Sequence, residues 1–146
     1  MKLKTLILII CSLIILLFVC PTYRFSKYQM GNCDTLTVLT YKSVFIKKAR
    51  TYFIAGNYKS LRLPSKDSFY ISYSGLGSGF MVLCSCKDGR IVINYKDGYF
   101  KINEQRVENY SSEKIILEKI PHELFDNIKR DNNYLYLSEG THDKWF

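Results

Sequence analysis

Apolar and polar residues follow two regimes along this chain. Residues 3–20 read LKTLILIICSLIILLFVC, and no charged residue occurs from Thr5 to Tyr23. A helix packed on a globular core shows one apolar stripe and one polar face, and this segment has no polar face. Lys2 and Lys4 precede it, giving the basic head and apolar core of a secretory signal or a signal anchor. Beyond residue 34 the pattern changes. Short runs rich in Val, Ile, Thr, Tyr and Phe alternate with Gly, Pro, Asn and Asp, which reads as strands and turns.

The runs predict one long or two short strands over 35–47 and a strand over 51–55. A cleanly alternating run follows over 58–63, and a break over 64–67. Further strands fall at 69–73, 80–86, 90–95 and 99–103. Asp88-Gly89 and Asp97-Gly98 lie between alternating apolar runs, the strongest short-range hairpin signal, so the centre reads as an antiparallel meander. Asn103-Glu104-Gln105 reads as a third turn, with Val107 beyond it. Another strand is expected over 114–120. Pro121 then suits the first position of a helix whose apolar residues are Leu124, Phe125 and Ile128. A last strand at 134–137 precedes a loose tail. The predicted fold is mainly β, of the α+β class: a single antiparallel meander sheet with one short C-terminal helix, preceded by an N-terminal transmembrane or signal helix. The corresponding division is a membrane segment 1–23, a juxtamembrane linker 24–34, a β-rich domain 35–138 and a tail 139–146.

Three fates compete for the apolar segment. Signal cleavage wants small residues at −3 and −1, but Phe18 precedes Val19-Cys20-Pro21, and Pro21 would follow the cut. Lipoprotein processing would acylate Cys20, yet Val19 stands where such a motif wants Gly, Ala or Ser. An uncleaved anchor fits best. Residues 5–23 as a helix span roughly 28 Å, against a hydrocarbon core of about 30 Å. Tyr23, Phe25 and Tyr28 follow as interfacial aromatics, and Arg24 and Lys27 as snorkelling cations. Positive charge is nearly balanced across the segment. The short basic head favours a single-pass topology with residues 24–146 outside the cytoplasm, and the lipoprotein is the alternative.

Composition adds bounds. Apolar content of 47% and aromatic content of 15% exclude a disordered chain, and 12 Tyr and 9 Phe against 1 Trp favour strands. The net charge is +8, carried in clusters such as Lys47-Lys48-Arg50, Lys59-Arg62 and Lys129-Arg130. A solvated basic surface accounts for these clusters; attraction to anionic lipid or an acidic partner is the functional counterpart. No helix-turn-helix, zinc-finger or RNP pattern points to nucleic acid.

Candidate chemistry is sparse. Cys33, Cys84 and Cys86 lie beyond the apolar segment, an odd number that allows one intrachain bridge. Cys84 and Cys86 are two apart on a predicted strand, so a bridge between them is strained, whereas Cys33 remains open to either. One such pair, with His122 and His142 far away in sequence, is a weak basis for zinc, and no metal or cofactor is expected. Gly75, Gly77 and Gly79 lack both the Lys-Ser/Thr and the following helix of a phosphate loop, which leaves them as a hairpin loop and a lip for any ligand. Asp88 and Asp97 are explained by their turns. Trp145 and Phe146 end the chain with two large aromatics suited to folding back or docking a partner. The function expected is a membrane-anchored binding or interaction module of the cell envelope that contacts a protein partner. The alternative is a small envelope thiol, redox or hydrolytic enzyme using Cys84 or Cys86. The chemistry of any small-molecule ligand is left open.

Overall fold

The computed structural model describes residues 3–19, 22–42, 48–64, 68–74, 80–130, 133–138 and 141–145. An α-helix, α1 (Leu3–Val19), leads after two residues into β1 (Thr22–Gln29). Then come β2 (Thr35–Lys42), β3 (Lys48–Ala55), β4 (Ser68–Ser74), β5 (Met81–Lys87), β6 (Arg90–Tyr95), β7 (Phe100–Ile102), β8 (Gln105–Val107), β9 (Tyr110–Ser111) and β10 (Ile115–Lys119). A short helix, α2 (His122–Ile128), precedes β11 (Leu135–Ser138) and β12 (Thr141–Trp145).

The strands form two sheets of six, ordered β1-β2-β3-β4-β7-β8 and β12-β11-β5-β6-β10-β9. A single meander sheet is therefore not what this sequence builds. Asp88-Gly89 does close the β5–β6 hairpin: both residues have positive φ, at 53° and 73°, and Lys87 pairs with Arg90, as a two-residue turn matched to strand twist requires. Asp97-Gly98 does not close a second hairpin, because β6 and β7 belong to different sheets. The chain crosses between layers there. Gly98 has φ 85°, and a Cβ on it would lie 3.6 Å from the Ile71 side chain in the first sheet. The free side of β6 is taken instead by β10, in the one parallel pairing among the described strands.

The buried residues explain why the layers stack. Leu36, Val38, Phe53, Ile71 and Phe100 of the first sheet share one core with Val82, Cys84, Ile91, Ile93, Tyr95, Ile115, Leu117, Leu135 and Leu137 of the second. These residues alternate along their strands, so each sheet turns one apolar face inward. Phe53 anchors the middle, with Phe80 and Phe100 edge-on at ring distances of 5.7 Å and 5.6 Å.

Other expectations change. Residues 24–34, expected as a linker, supply most of β1, and Tyr28, expected at a membrane interface, is buried in the core. Its partner Leu36 places it on the inner face. The run over 58–63 forms no strand, and Leu61 is exposed. The tail is paired rather than loose: Leu135 lies opposite Trp145 and Tyr136 opposite Lys144. α2 starts after Pro121 as expected, but of its apolar residues Phe125 alone is buried. No helix among the described residues is long and apolar enough to cross a membrane. α1 covers 17 of them, about 25 Å of helix.

Candidate functional site

The face of the first sheet turned away from the core carries the most distinctive chemistry of the domain. Cross-strand register aligns Phe25, Leu39, Tyr52 and Tyr70 in one row and Tyr23, Tyr41 and Arg50 in the next. Leu39, Tyr52, Ile54 and Tyr70 are buried there, with Tyr23, Phe25, Tyr41 and Tyr58 packed around them. The Tyr23 and Tyr41 rings lie 5.3 Å apart and the Tyr52 and Tyr70 rings 5.0 Å apart, both tilted. The chain after β3 folds over part of this layer. The Thr37 hydroxyl donates to the Gly56 carbonyl at 2.6 Å, the Tyr58 amide donates back to that hydroxyl at 3.2 Å, and the Tyr58 hydroxyl donates to the Arg62 carbonyl.

One margin of the layer is charged. Arg50 pairs with Glu104 at 3.1 Å and places its guanidinium 5.0 Å from the centre of the Tyr70 ring. Glu104 sits at φ 65° beside Asn103 at φ 49°, so two non-glycine residues hold left-handed conformations in the β7–β8 turn. Such positions persist only where surrounding contacts fix them. The Tyr70 hydroxyl is buried, and no group among the described residues meets it in hydrogen-bond geometry. It still lies close enough to the Glu104 carboxylate to hold that acid below the usual range, with Arg50 and Lys101 adding to the effect. Burial, and then that carboxylate, push Tyr70 up to about 12. Arg50 is held above its ordinary value, first by its hydrogen bond to Tyr52. The arrangement is a neutral tyrosine platform with a fixed arginine–carboxylate rim. At its surface stand the half-buried rings of Tyr23, Phe25, Tyr41 and Tyr58, beside the Arg50–Glu104 pair.

The cysteines resolve into distinct roles. Cys33, in the β1–β2 connection, is bonded to Cys86 on β5, with Cα atoms 5.7 Å apart. The bond ties the first sheet to the second. Cys84 faces the core, fully buried, and burial raises its thiol far above the ordinary range. Cys11 is exposed on α1.

A second feature is an open cleft of about 660 Å³ where the β6–β7 crossing meets the start of α2, lined by Lys96, Asp97, Tyr99, Arg106, Lys119 and His122 among others. Its polar side chains are largely engaged: His122 Nε2 lies 3.0 Å from Asp97, Lys96 pairs with Asp126 at 3.1 Å and Lys119 with Glu108 at 3.2 Å.

Gly75, Gly77 and Gly79, named from sequence as a ligand lip, lie outside the described residues, as do Phe146 and Cys20. Trp145 is the last residue of β12, opposite Leu135. Asp88 and Asp97 stand in turns, and Asp97 is engaged by His122. Among the described residues no cluster of three His, Cys, Asp or Glu side chains is placed to hold a metal. Sequence reasoning missed Arg50, Tyr52, Tyr70 and Glu104. Tyr52 and Tyr70 carried a signal, being tyrosines at outward positions of strands, whereas the Arg50–Glu104 pair joins residues with no local relation. No protein-family profile, curated protein or solved structure matches this chain.

Proposed function

We propose that the chain is a membrane-tethered binding module that displays its β domain on the extracytoplasmic side. The observation carrying this reading is that a helix whose described side chains, residues 3–16, are all exposed leads, after two residues, into a disulfide-bonded sandwich. Leu3, Leu8, Ile15 and Leu16 are among the apolar side chains of α1 that stand exposed, and stacked apolar exposure on that scale marks a surface meant for lipid or a partner. α1 as described is a few ångströms short of a hydrocarbon core, a mismatch that local bilayer thinning and the snorkelling of Lys4 and Arg24 absorb. The Cys33–Cys86 bond calls for an oxidising compartment, in accord with export. The tyrosine face with its Arg50–Glu104 rim supplies the recognition surface.

An envelope thiol enzyme is the competing reading, and the burial of Cys84 and the bonding of Cys86 count against it. The intact mass of the full chain, taken from the membrane fraction after alkylation without reductant, tests the proposal. The expected product is the unprocessed chain, resistant to alkaline extraction, with Cys33 and Cys86 unalkylated. A soluble chain with every thiol alkylated overturns the reading. A chain beginning at an acylated Cys20 replaces the helical anchor with a lipid one and keeps the displayed domain.

A further inference from the structure

Strands β1 to β3 carry five Lys and Arg and no acid. Residues 22–74, from β1 to the end of β4, hold nine Lys and Arg and two acids, Asp34 and Asp67, and Glu104 of the β7–β8 turn pairs with Arg50. Asp34 lies in the β1–β2 connection, where Lys114 engages it at 3.0 Å. The opposite end of the sheet is where α1 enters. Register gathers Thr22, Lys42 and Ala49 there, with Tyr23, Tyr41 and Arg50 in the next row. Arg24 and Lys42 are exposed, and Tyr23 and Tyr41 are half-buried.

Covalent reach sets the distance from this end to a bilayer. Three Cα steps separate Val19 from Thr22, so the start of β1 lies within about 11 Å of the end of α1. The headgroup layer outside each hydrocarbon boundary is about 5–7 Å thick. With α1 in the membrane, β1 begins in that layer or at its edge, and because β1 is paired along its length with β2, the sheet cannot swing away as a linker would allow.

We infer that this end of the first sheet docks on the anionic headgroup layer of the membrane that holds α1, with Arg24 and Lys42 against lipid phosphates and Tyr23 and Tyr41 at the interface. The inference rests on the tether proposed above and deepens it: the domain stands on the bilayer end-on rather than floating above it. Amphipathic rings beside cations, with no acid within strands β1 to β4 and with Glu104 already paired to Arg50, are the complement of such a surface.

The test uses the full chain in vesicles of equal parts phosphatidylcholine and phosphatidylglycerol. Trp145→Phe with Tyr41→Trp gives a reporter at the docking end, and Trp145→Phe with Asn32→Trp gives one at the far end of β1, roughly 25 Å away. Lipids quench-labelled just below the headgroup should quench the reporter at 41 and leave that at 32 bright. Quenching should weaken in high salt and in phosphatidylcholine alone. Arg24→Gln and Lys42→Gln should each lower the docked-to-undocked ratio about fivefold. A chain that floats with the vesicles while the reporter at 41 stays unquenched, or is quenched regardless of salt and lipid charge, overturns the docking and leaves the tether standing. Equal quenching at 32 and 41 overturns the end-on placement. A chain that fails to float overturns the tether and the docking together.

Discussion

The outer faces of the two sheets are covered by different means. On the first sheet the strands cover themselves: Tyr52 and Tyr70 lie over Leu39 and Ile54, and Tyr58 folds back from the end of β3. On the second sheet a short helix supplies a local cover. α2 inserts Phe125, which is fully buried, with the Lys96 ammonium 5.2 Å from its ring, and Lys129 sits 4.4 Å over the ring of Tyr136. Helix and sheet are there also joined by the Lys96–Asp126 pair. The difference is one of exposed chemistry. On the second sheet α2 adds a local cover of charged, water-facing residues, whereas the first sheet leaves the half-buried rings of Tyr23, Phe25, Tyr41 and Tyr58 at its surface. The recognition surface proposed above is therefore confined to the half-buried rings and the charged rim of the first sheet.

Removing the cover of the second sheet should cost most. Phe125→Ala should destabilise the domain by about 3–5 kcal/mol, the range for a buried aromatic truncated in place, measured by urea unfolding. The tyrosine layer should stay intact at urea concentrations below the transition. Parallel loss of both faces before unfolding would show that they are one unit. Next in size is the bond that both faces share. Cys33–Cys86 closes a loop of 53 residues, and in the chain-entropy account its reduction should cost roughly 4 kcal/mol. It should lower both covers together in thermal unfolding with and without reductant. An unchanged midpoint would mean that the bond does not constrain the unfolded chain.

The smallest effect sharpens the view of the first sheet. Tyr70→Phe removes a buried hydroxyl that meets no described group in hydrogen-bond geometry but lies beside the Glu104 carboxylate, so gain and loss offset and stability should change by less than about 1 kcal/mol at neutral pH. The variant should also alter the alkaline limb. The folded Tyr70 is raised from 10.0 to about 12, so its neutral form contributes stability that is fully present below pH 10 and is lost as pH rises toward 12. The native chain should weaken across that window, and the variant should weaken less. If the two alkaline limbs superimpose, Tyr70 is not the titrating group.

The candidate site was legible in the sequence only in fragments. Tyr23 and Phe25 were read as interfacial aromatics, and they do stand on the outer face, but Tyr28, read with them, falls three residues after Phe25 and so on the opposite, buried face once 22–29 is a strand. What separates them is position along β1: Tyr28 is opposite Leu36 and faces the core, while Phe25 is opposite Leu39 and faces outward. A one-residue difference in register exchanges the faces, and register is set by β2, not by β1 itself. Arg50 and Glu104 were invisible as a pair because 53 intervening residues place Glu104 in another hairpin. The basic clusters read as a scattered surface for the same reason, since linear order hides that β1 to β4 lie side by side.

By itself the sequence determined what is local. Period-two alternation marked most of the strands, Asp88-Gly89 specified a turn that strand twist demands, Pro121 began a helix, and the uncharged run over 5–23 set the N-terminal segment apart. Tertiary structure alone decided which strands pair, that β6 takes β10 as a parallel neighbour instead of β7, that two sheets form rather than one, and that Cys33 finds Cys86. Alternation tells a strand which side to bury but names no partner. Partners are chosen by packing among residues far apart in the chain, where Phe53, Phe100 and Tyr95 must fill one interior together.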